Sequence, residues 1–258
     1  MATQIKWEKK GQVAYITILE EMERRPCTLD WDSLKMLENA IDAIGADHDI
    51  RAAVLQSASP KSFIVGANIK VLETLDANNI MDWVKNGHRI FNKLQHLPIP
   101  VIAKVESYAL GGGLELCMAC DMILASEDAK FAQPEASLGV MPGWGGSYRL
   151  AKLVGQNRAK EMFFTGAQIT AQQAYEWGIV NHVYKKEELD AGLQQILDGI
   201  LKNDARVLQL VKEIINSHNQ PDVTNNAYEE ACTSSVCMSS ESTLGRLKAF
   251  FEGRKKKA

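Results

Sequence analysis

Three consecutive glycines, Gly111 to Gly113, precede Leu114-Glu115-Leu116, and a second glutamate follows twenty residues after Glu115 in Gln133-Pro134-Glu135. Glycines after a strand let a ligand approach the backbone closely. The residues that follow them, Leu114 to Cys120, are good helix material, which puts the glycines at a helix N-terminus. There, unpaired N–H groups and the positive end of the helix dipole both favour negative charge. Two anions suit such a place: a phosphate, or an oxyanion developing on a carbonyl. The Lys-Ser/Thr of a P-loop and the spacing of GxGxxG are both missing. Glu115 reads as a helix-end charge or as a group that moves protons. Glu135, set by Pro134, reads as a loop residue or as a second such group, and two adjacent carboxyls can serve as acid and base. A further N–H donor is available upstream, where Gly66-Ala67 sits in Phe63-Ile64-Val65-Gly66-Ala67-Asn68. An oxyanion hole normally uses two donors, and removing one costs about 3 kcal/mol of transition-state stabilisation.

The elements that must position these groups are legible in outline. Gln12–Leu19 alternates and is β-branched, which predicts a strand. Asp30–Ile44 has helical periodicity, with Leu34, Leu37, Ile41 and Ile44 on one face. Ala52–Gln56 and Val101–Val105 read as strands, and Ile80–Leu97 as an amphipathic helix stopped by Pro98 and Pro100. The loop Met141 to Arg149, rich in glycine, follows the second glutamate and can wall a pocket. From about Ala171 the chain reads as mostly helical: Ala171–Trp177, Lys186–Lys202, Ala205–Ser217 and Asn225–Glu252. Strand, glycine turn and helix recur through the first two thirds, which predicts an α/β fold with parallel pairing.

Composition narrows the class. The chain has 258 residues, 46% hydrophobic and 24% charged, with a net charge of −3. A chain of this length buries roughly three quarters of its unfolded surface. The balance excludes nucleic acid as the expected main partner. The basic tail Arg254 to Lys257 reads as a solvated terminus or a phosphate contact. The N-terminal MATQIKWEKKGQV lacks an apolar run, and no window has the roughly 18 apolar residues of a membrane helix, so neither a secretory signal nor a membrane anchor is expected. Five cysteines, an odd count, predict free thiols and a cytoplasmic setting. Cys117 and Cys120 have CxxC spacing within an apolar helical run, which reads as core packing, with redox or metal chemistry as the alternative. The five histidines form no HxH or HxxxH pair, so no metal site is expected.

Taken together, Phe63 to Lys70, Tyr108-Ala109-Leu110-Gly111-Gly112-Gly113-Leu114-Glu115, Gln133-Pro134-Glu135, Leu138-Gly139 with Pro142 to Gly146, and Thr165-Gly166 through Ala174 to Gly178 resemble the crotonase superfamily, above all the enoyl-CoA hydratases. The resemblance covers nearly the whole chain. It implies a crotonase-like spiral of ββα units over residues 1–197. A C-terminal helical region, 198–258, would form a homotrimer or a hexamer built as a dimer of trimers. It implies reversible syn addition of water to a 2-enoyl-CoA, with coenzyme A as part of the substrate and no metal or redox cofactor. The N–H groups of Ala67 and Gly112 would hold the thioester oxygen. Glu115 and Glu135 would hold one water, Glu115 removing its proton and protonated Glu135 supplying a proton to the α-carbon. Arg24, Arg25, Ala67, Ile69, Phe250 and Lys255 would contact coenzyme A, and Trp83, Phe91, Pro142 and Trp144 the acyl group. For Trp83 and Phe91, helical spacing also fits plain core packing.

The chain departs from the family pattern at Asn68, where Asp is usual, at Cys27-Thr28-Leu29, at Glu106-Ser107, at Ser147-Tyr148 and at Gly253. Trp144 stands where a small residue is common. Other readings are an enoyl-CoA isomerase, a hydratase for branched, aromatic or dicarboxylic acyl groups, or a non-catalytic binding protein on the same fold.

Overall fold

The alternating run Val13–Leu19 forms strand β2, and its two faces serve two cores. Ala14, Ile16 and Ile18 join the larger core, while Val13 and Tyr15 face a smaller one. The same alternation continues in β3 (Ala52–Ser57), β4 (Val101–Val105) and β6 (Met122–Ser126). Strands buried on both faces read as continuous apolar runs and pair in parallel under helices. In the computed structural model, which describes residues 3–22, 25–218, 231–232, 234–235, 238–239 and 241–255, they lie in a six-stranded sheet of order β1-β2-β3-β4-β6-β9. Here β1 is Gln4–Lys10 and β9 is His182–Tyr184. β1 pairs antiparallel with β2, and every other pairing in this sheet is parallel.

Helix α1 (Trp31–Ala46) starts at a capping box in which Asp30 and Ser33 exchange side-chain-to-backbone bonds, each 2.8 Å. It buries Leu34, Leu37, Ile41 and Ile44, the face its periodicity predicts. A four-residue helix, α2 (Ile69–Leu72), precedes α3 (Ile80–Gln95), which packs beside α1. On the other face of the sheet, α7 (Leu189–Lys202) covers Val54, Ile102 and Leu124 with Leu189, Leu193 and Leu197. The division expected between 197 and 198 falls inside this helix.

A second, three-stranded sheet stands apart in the order β5-β7-β8, formed by Tyr108–Leu110, Lys130–Ala132 and Ile169–Thr170. β5 and β7 are parallel, and α4 (Gly112–Met118) leaves β5 directly. The chain continues through α5 (Gly146–Thr165), α6 (Ala171–Glu176), α8 (Ala205–His218) and α9 (Glu241–Lys255). Most of the first half of the helix expected over 225–252 lies outside the described residues. Strands β1, β5, β7, β8 and β9 escape sequence reading. β1 is a largely polar edge strand, and the others are only two or three residues long. Side chains of α8 tie it to the rest of the fold: Lys212 donates to Ile99 O at 2.9 Å and to Asp121 at 2.7 Å, and Asn216 to Gln95 O at 3.2 Å. Cys117 is buried in α4, where burial pushes its thiol up, and the described cysteines are all free.

One buried carboxylate fixes α1 against α3. Glu38 of α1 accepts from Arg89 at both oxygens and from Lys93 and Lys35 at 2.9 and 3.1 Å. The Arg89 guanidinium, then the two lysines, hold its carboxyl well below the usual carboxylate range despite burial. A depressed folded-state pKa gives stability that is complete above the unfolded value near 4.5 and is lost as pH falls below it. Glu38→Gln is therefore expected to cost about 1.5 kcal/mol at about pH 7, a figure kept low because Arg89 and Lys35 reach solvent. Urea unfolding at about pH 7 and about pH 3 measures it. The gap between variant and wild type should shrink in acid, and an equal gap at both values contradicts the assignment.

Candidate active site

Parallel pairing of β5 with β7 brings the two glutamates to one end of the small sheet. Leu110 registers with Ala132, and Gly111 N–H donates to Ala132 O at 2.9 Å. Past that point one strand turns into α4, carrying Glu115, and the other into Gln133-Pro134-Glu135. Gly111 makes its turn at φ +53°, and a Cβ there would stand 2.8 Å from Glu135 Oε1. The turn thus needs glycine both for its backbone and for the approach of the carboxylate.

The segment 63–68 threads between two others. Val65 N–H donates to Cys27 O and Phe63 N–H to Tyr108 O, each at 2.9 Å. Leu29 N–H reaches Gly66 O at 2.9 Å, and Asn68 N–H reaches Leu29 O at 2.6 Å. In this parallel bridge between Leu29 and Ala67, the neighbours of Ala67 make the bonds and its own N–H turns the other way. Gly112 is the first residue of α4, so its N–H has no intrahelical acceptor. Both residues line the cleft, and no hydrogen bond from either N–H is seen among the described residues. A Cβ on Gly66 would lie 3.8 Å from Gly112 N, so the two donor segments are in contact. Asn68 caps α2, its side chain accepting from Lys70 N–H at 3.0 Å.

Glu115 is 2% exposed. Its Oε1 accepts from Trp144 N–H at 2.9 Å and Gly146 N–H at 2.7 Å. These donors belong to the start of α5, so the glycine-rich segment 141–149, expected to be a loop, is a helix N-terminus from Gly146 onward. The glycines of Gly143-Trp144-Gly145-Gly146 hide that start, because glycine reads as turn. Two helix N-termini, those of α4 and α5, meet at this carboxylate, and the two N–H bonds favour its charged form. Arg149 holds the arrangement from behind. It donates to Trp144 O at 2.7 Å, Asn92 Oδ1 at 2.7 Å and Gln95 Oε1 at 2.9 Å, and so pins the loop to α3. Gln133 is fully buried, and with its amide oriented to suit both groups its nitrogen lies 3.0 Å from each Glu135 oxygen.

The cleft encloses about 1160 Å³ and takes in Ala67, Ile69, Gly112, Glu115 and Glu135. Trp83 and Trp144 form part of its apolar wall. Phe91 does not reach it: it is fully buried behind Trp144, ring centroids 5.4 Å apart. Pro142 is not in the lining either, which its neighbours Met141 and Gly143 form. Arg25 lines the cleft, while Arg24 lies outside the described residues. Phe250 of α9 lines it too, and the Lys255 side chain is outside the described set. Sequence reasoning passed over Lys70, the other cation of the described lining, although it ends a motif that was singled out. It also passed over Met238 and Leu247, which close the cleft from the C-terminal region. Among the described residues no cluster of three or more His, Cys, Asp or Glu is placed to hold a metal. No helix among them is long and apolar enough to cross a membrane.

Comparison with known proteins agrees with this geometry. A family model described as enoyl-CoA hydratase/isomerase matches residues 8–257. A short-chain-enoyl-CoA hydratase of Clostridium acetobutylicum is 36% identical, covering 96% of this chain and 94% of its own length. A crotonyl-CoA hydratase of Syntrophomonas wolfei is 34% identical with the same coverage. The crystal structure of an enoyl-CoA hydratase/isomerase from Xanthobacter autotrophicus superposes with a TM-score of 0.85 at 26% identity, over 100% of this chain and 99% of that one.

Gly113 offers a direct check on the contact between the donor segments. A Cβ there would stand 2.1 Å from the Ile64 carbonyl oxygen, and backbone cannot yield as a flexible side chain can. Gly113→Ala is expected to destabilise by about 3 kcal/mol by forcing α4 away from residues 63–66. Gly199, in α7 with open space around it, is the control: Gly199→Ala should stabilise by up to about 1 kcal/mol. Chemical denaturation of both variants decides the matter, and a neutral Gly113→Ala refutes the close contact.

Proposed function

The chain belongs to the enoyl-CoA hydratase/isomerase family, and from that premise we propose that it is a hydratase, adding water reversibly across the 2,3 double bond of a 2-enoyl-CoA. The observation that carries this reading is the joint presence of two N–H donors and two carboxyls in one cleft. Ala67 and Gly112 receive the thioester oxygen, on which negative charge grows as the water oxygen attacks the β-carbon. Preorganised donors in a dry site are strongest at such a developing charge. Glu115, ionised by its two N–H partners, takes the proton of the attacking water. Glu135, served by Gln133, supplies the proton to the α-carbon in its acid form. Both carboxyls act from one face, which gives syn addition.

Arg25 and Lys70 give the lining its positive charge and suit the phosphates of coenzyme A, which we read as part of the substrate. Ile69 and Phe250 supply apolar surface beside them. We read the assembly as a homotrimer or a dimer of trimers. Support comes from α8, where Val207, Leu210, Val211 and Ile215 are each more than a third exposed, as a subunit contact requires. The free thiols support a cytoplasmic setting.

Loss of the enoyl-thioester absorbance with crotonyl-CoA tests the reaction. Glu115→Gln and Glu135→Gln should each lower kcat by roughly 10²- to 10⁴-fold, with binding of a saturated acyl-CoA changed little. Near-normal turnover in either variant removes that glutamate from the mechanism. A shifted double bond without incorporation of solvent oxygen turns the reading to isomerase. Binding without turnover turns it to a binding protein.

A further inference from the structure

We propose that the Trp144 indole is the end wall of the acyl channel and confines the enzyme to short acyl groups; this rests on the hydratase reading. The ring is 3% exposed and lies directly against the oxyanion hole. A Cβ on Gly112 would stand 2.6 Å from Trp144 Cζ3 and 2.8 Å from Cε3, so the ring touches the Cα of a donor residue. An acyl chain whose carbonyl is bound at Ala67 and Gly112 begins beside this ring.

On its other edge the indole is sunk into α3. A Cβ on Gly87 would stand 2.1 Å from Trp144 Nε1, so only glycine leaves the notch that the ring occupies. Glycine in a helix interior costs about 1 kcal/mol relative to alanine, a cost α3 bears where the indole seats. Nε1 faces Trp83 O at 3.4 Å, and the ring packs at centroid distances of 5.0 Å from Trp83 and 5.4 Å from Phe91. The backbone of the same residue is bound at both ends, its N–H to Glu115 and its carbonyl to Arg149. The backbone that carries the wall is therefore fixed at both ends, and the Gly87 notch with Trp83 and Phe91 fixes the ring.

The indole occupies the gap between Gly112 of α4 and Gly87 of α3, with Phe91 buried beyond. A smaller side chain at 144 opens an apolar extension of the cleft in that gap. Trp144 is thus a specificity-determining residue, and the excluded class is the longer straight-chain 2-enoyl thioesters.

The test is kcat/KM for crotonyl-, 2-hexenoyl- and 2-octenoyl-CoA. Wild type is expected to prefer crotonyl- over octenoyl-CoA by about tenfold or more, since one misplaced methylene already costs about tenfold in a tight pocket. Trp144→Ala should raise the octenoyl-to-crotonyl ratio by about tenfold or more. Trp144→Phe should raise it less. Gly87→Ala, which drives the ring out of its notch and into the channel, should lower the hexenoyl-to-crotonyl ratio. If Trp144→Ala does not fold, the opposite shifts of Trp144→Phe and Gly87→Ala carry the test. The proposal is overturned if wild type takes octenoyl-CoA as well as crotonyl-CoA, or if the variants leave the ratios unchanged. If wild type hydrates no enoyl-CoA, the hydratase reading has failed, and competition between butyryl-CoA and octanoyl-CoA for the cleft still decides the wall. A wild-type preference for butyryl-CoA that weakens in Trp144→Ala supports it, and equal affinities overturn it.

Discussion

A carboxylate buried between two helix N-termini is the constraint around which this site is built. Glu115 is in the first turn of α4 and accepts the N–H groups that open α5. An ionised carboxyl taken from water without partners costs several kcal/mol, and each charge-assisted hydrogen bond returns about 1.5–3 kcal/mol. Two N–H bonds and two positive helix ends make the charged form tenable at 2% exposure. The start of α5 gains as well, because its orphan N–H at Gly146 is satisfied. A shift of either helix breaks these bonds, so Arg149, which ties the Trp144 carbonyl to α3, helps fix the carboxylate through the backbone.

The same constraint explains why small residues crowd this part of the chain. The N-terminus of α4 must touch residues 63–66 for two N–H groups from distant segments to face one oxygen. Gly113 lies against the Ile64 carbonyl, a contact that a Cβ would block, and Gly112 stands beside Gly66 with the Trp144 ring in the space its own Cβ would need. Parallel pairing of β5 with β7 then brings Glu135 alongside, because both strands end in register at Leu110 and Ala132. A three-residue pairing is enough for this purpose, since its ends are held by the larger fold on either side.

The long apolar runs were legible because burial on both faces of a parallel sheet needs them. β2, β3 and β4 and the inward faces of α1 and α3 follow directly from pattern. The short strands β5, β7 and β8 carry too few residues to show a period, although they place the catalytic candidates. The first turn of α5 was illegible for a different reason. Its helix begins on Gly146, where a Cβ would stand 2.9 Å from Glu115 Oε1, and follows Gly143 and Gly145, so the composition mimics a loop. The glutamates and glycines announced themselves by type and spacing, whereas Arg149, Gln133 and Gly87 act through contacts between elements. No local pattern encodes such contacts. Phe91 illustrates the converse: its helical position put it on the right face of α3, but Trp144 stands between it and the cleft.

The two carboxyls are not equivalent in their surroundings. Glu115 accepts from two backbone N–H groups, donors that cannot accept, and those two bonds suit the charged form. Glu135 is half-buried at the start of a short 3-10 turn, beside a primary amide. An amide presents either two N–H donors to a carboxylate or an oxygen to a carboxylic acid, so Gln133 can serve both protonation states of its neighbour. A pair in which one member is held charged and the other can change form is what separate base and acid roles require. The asymmetry comes from a helix end on one side and a side-chain amide on the other.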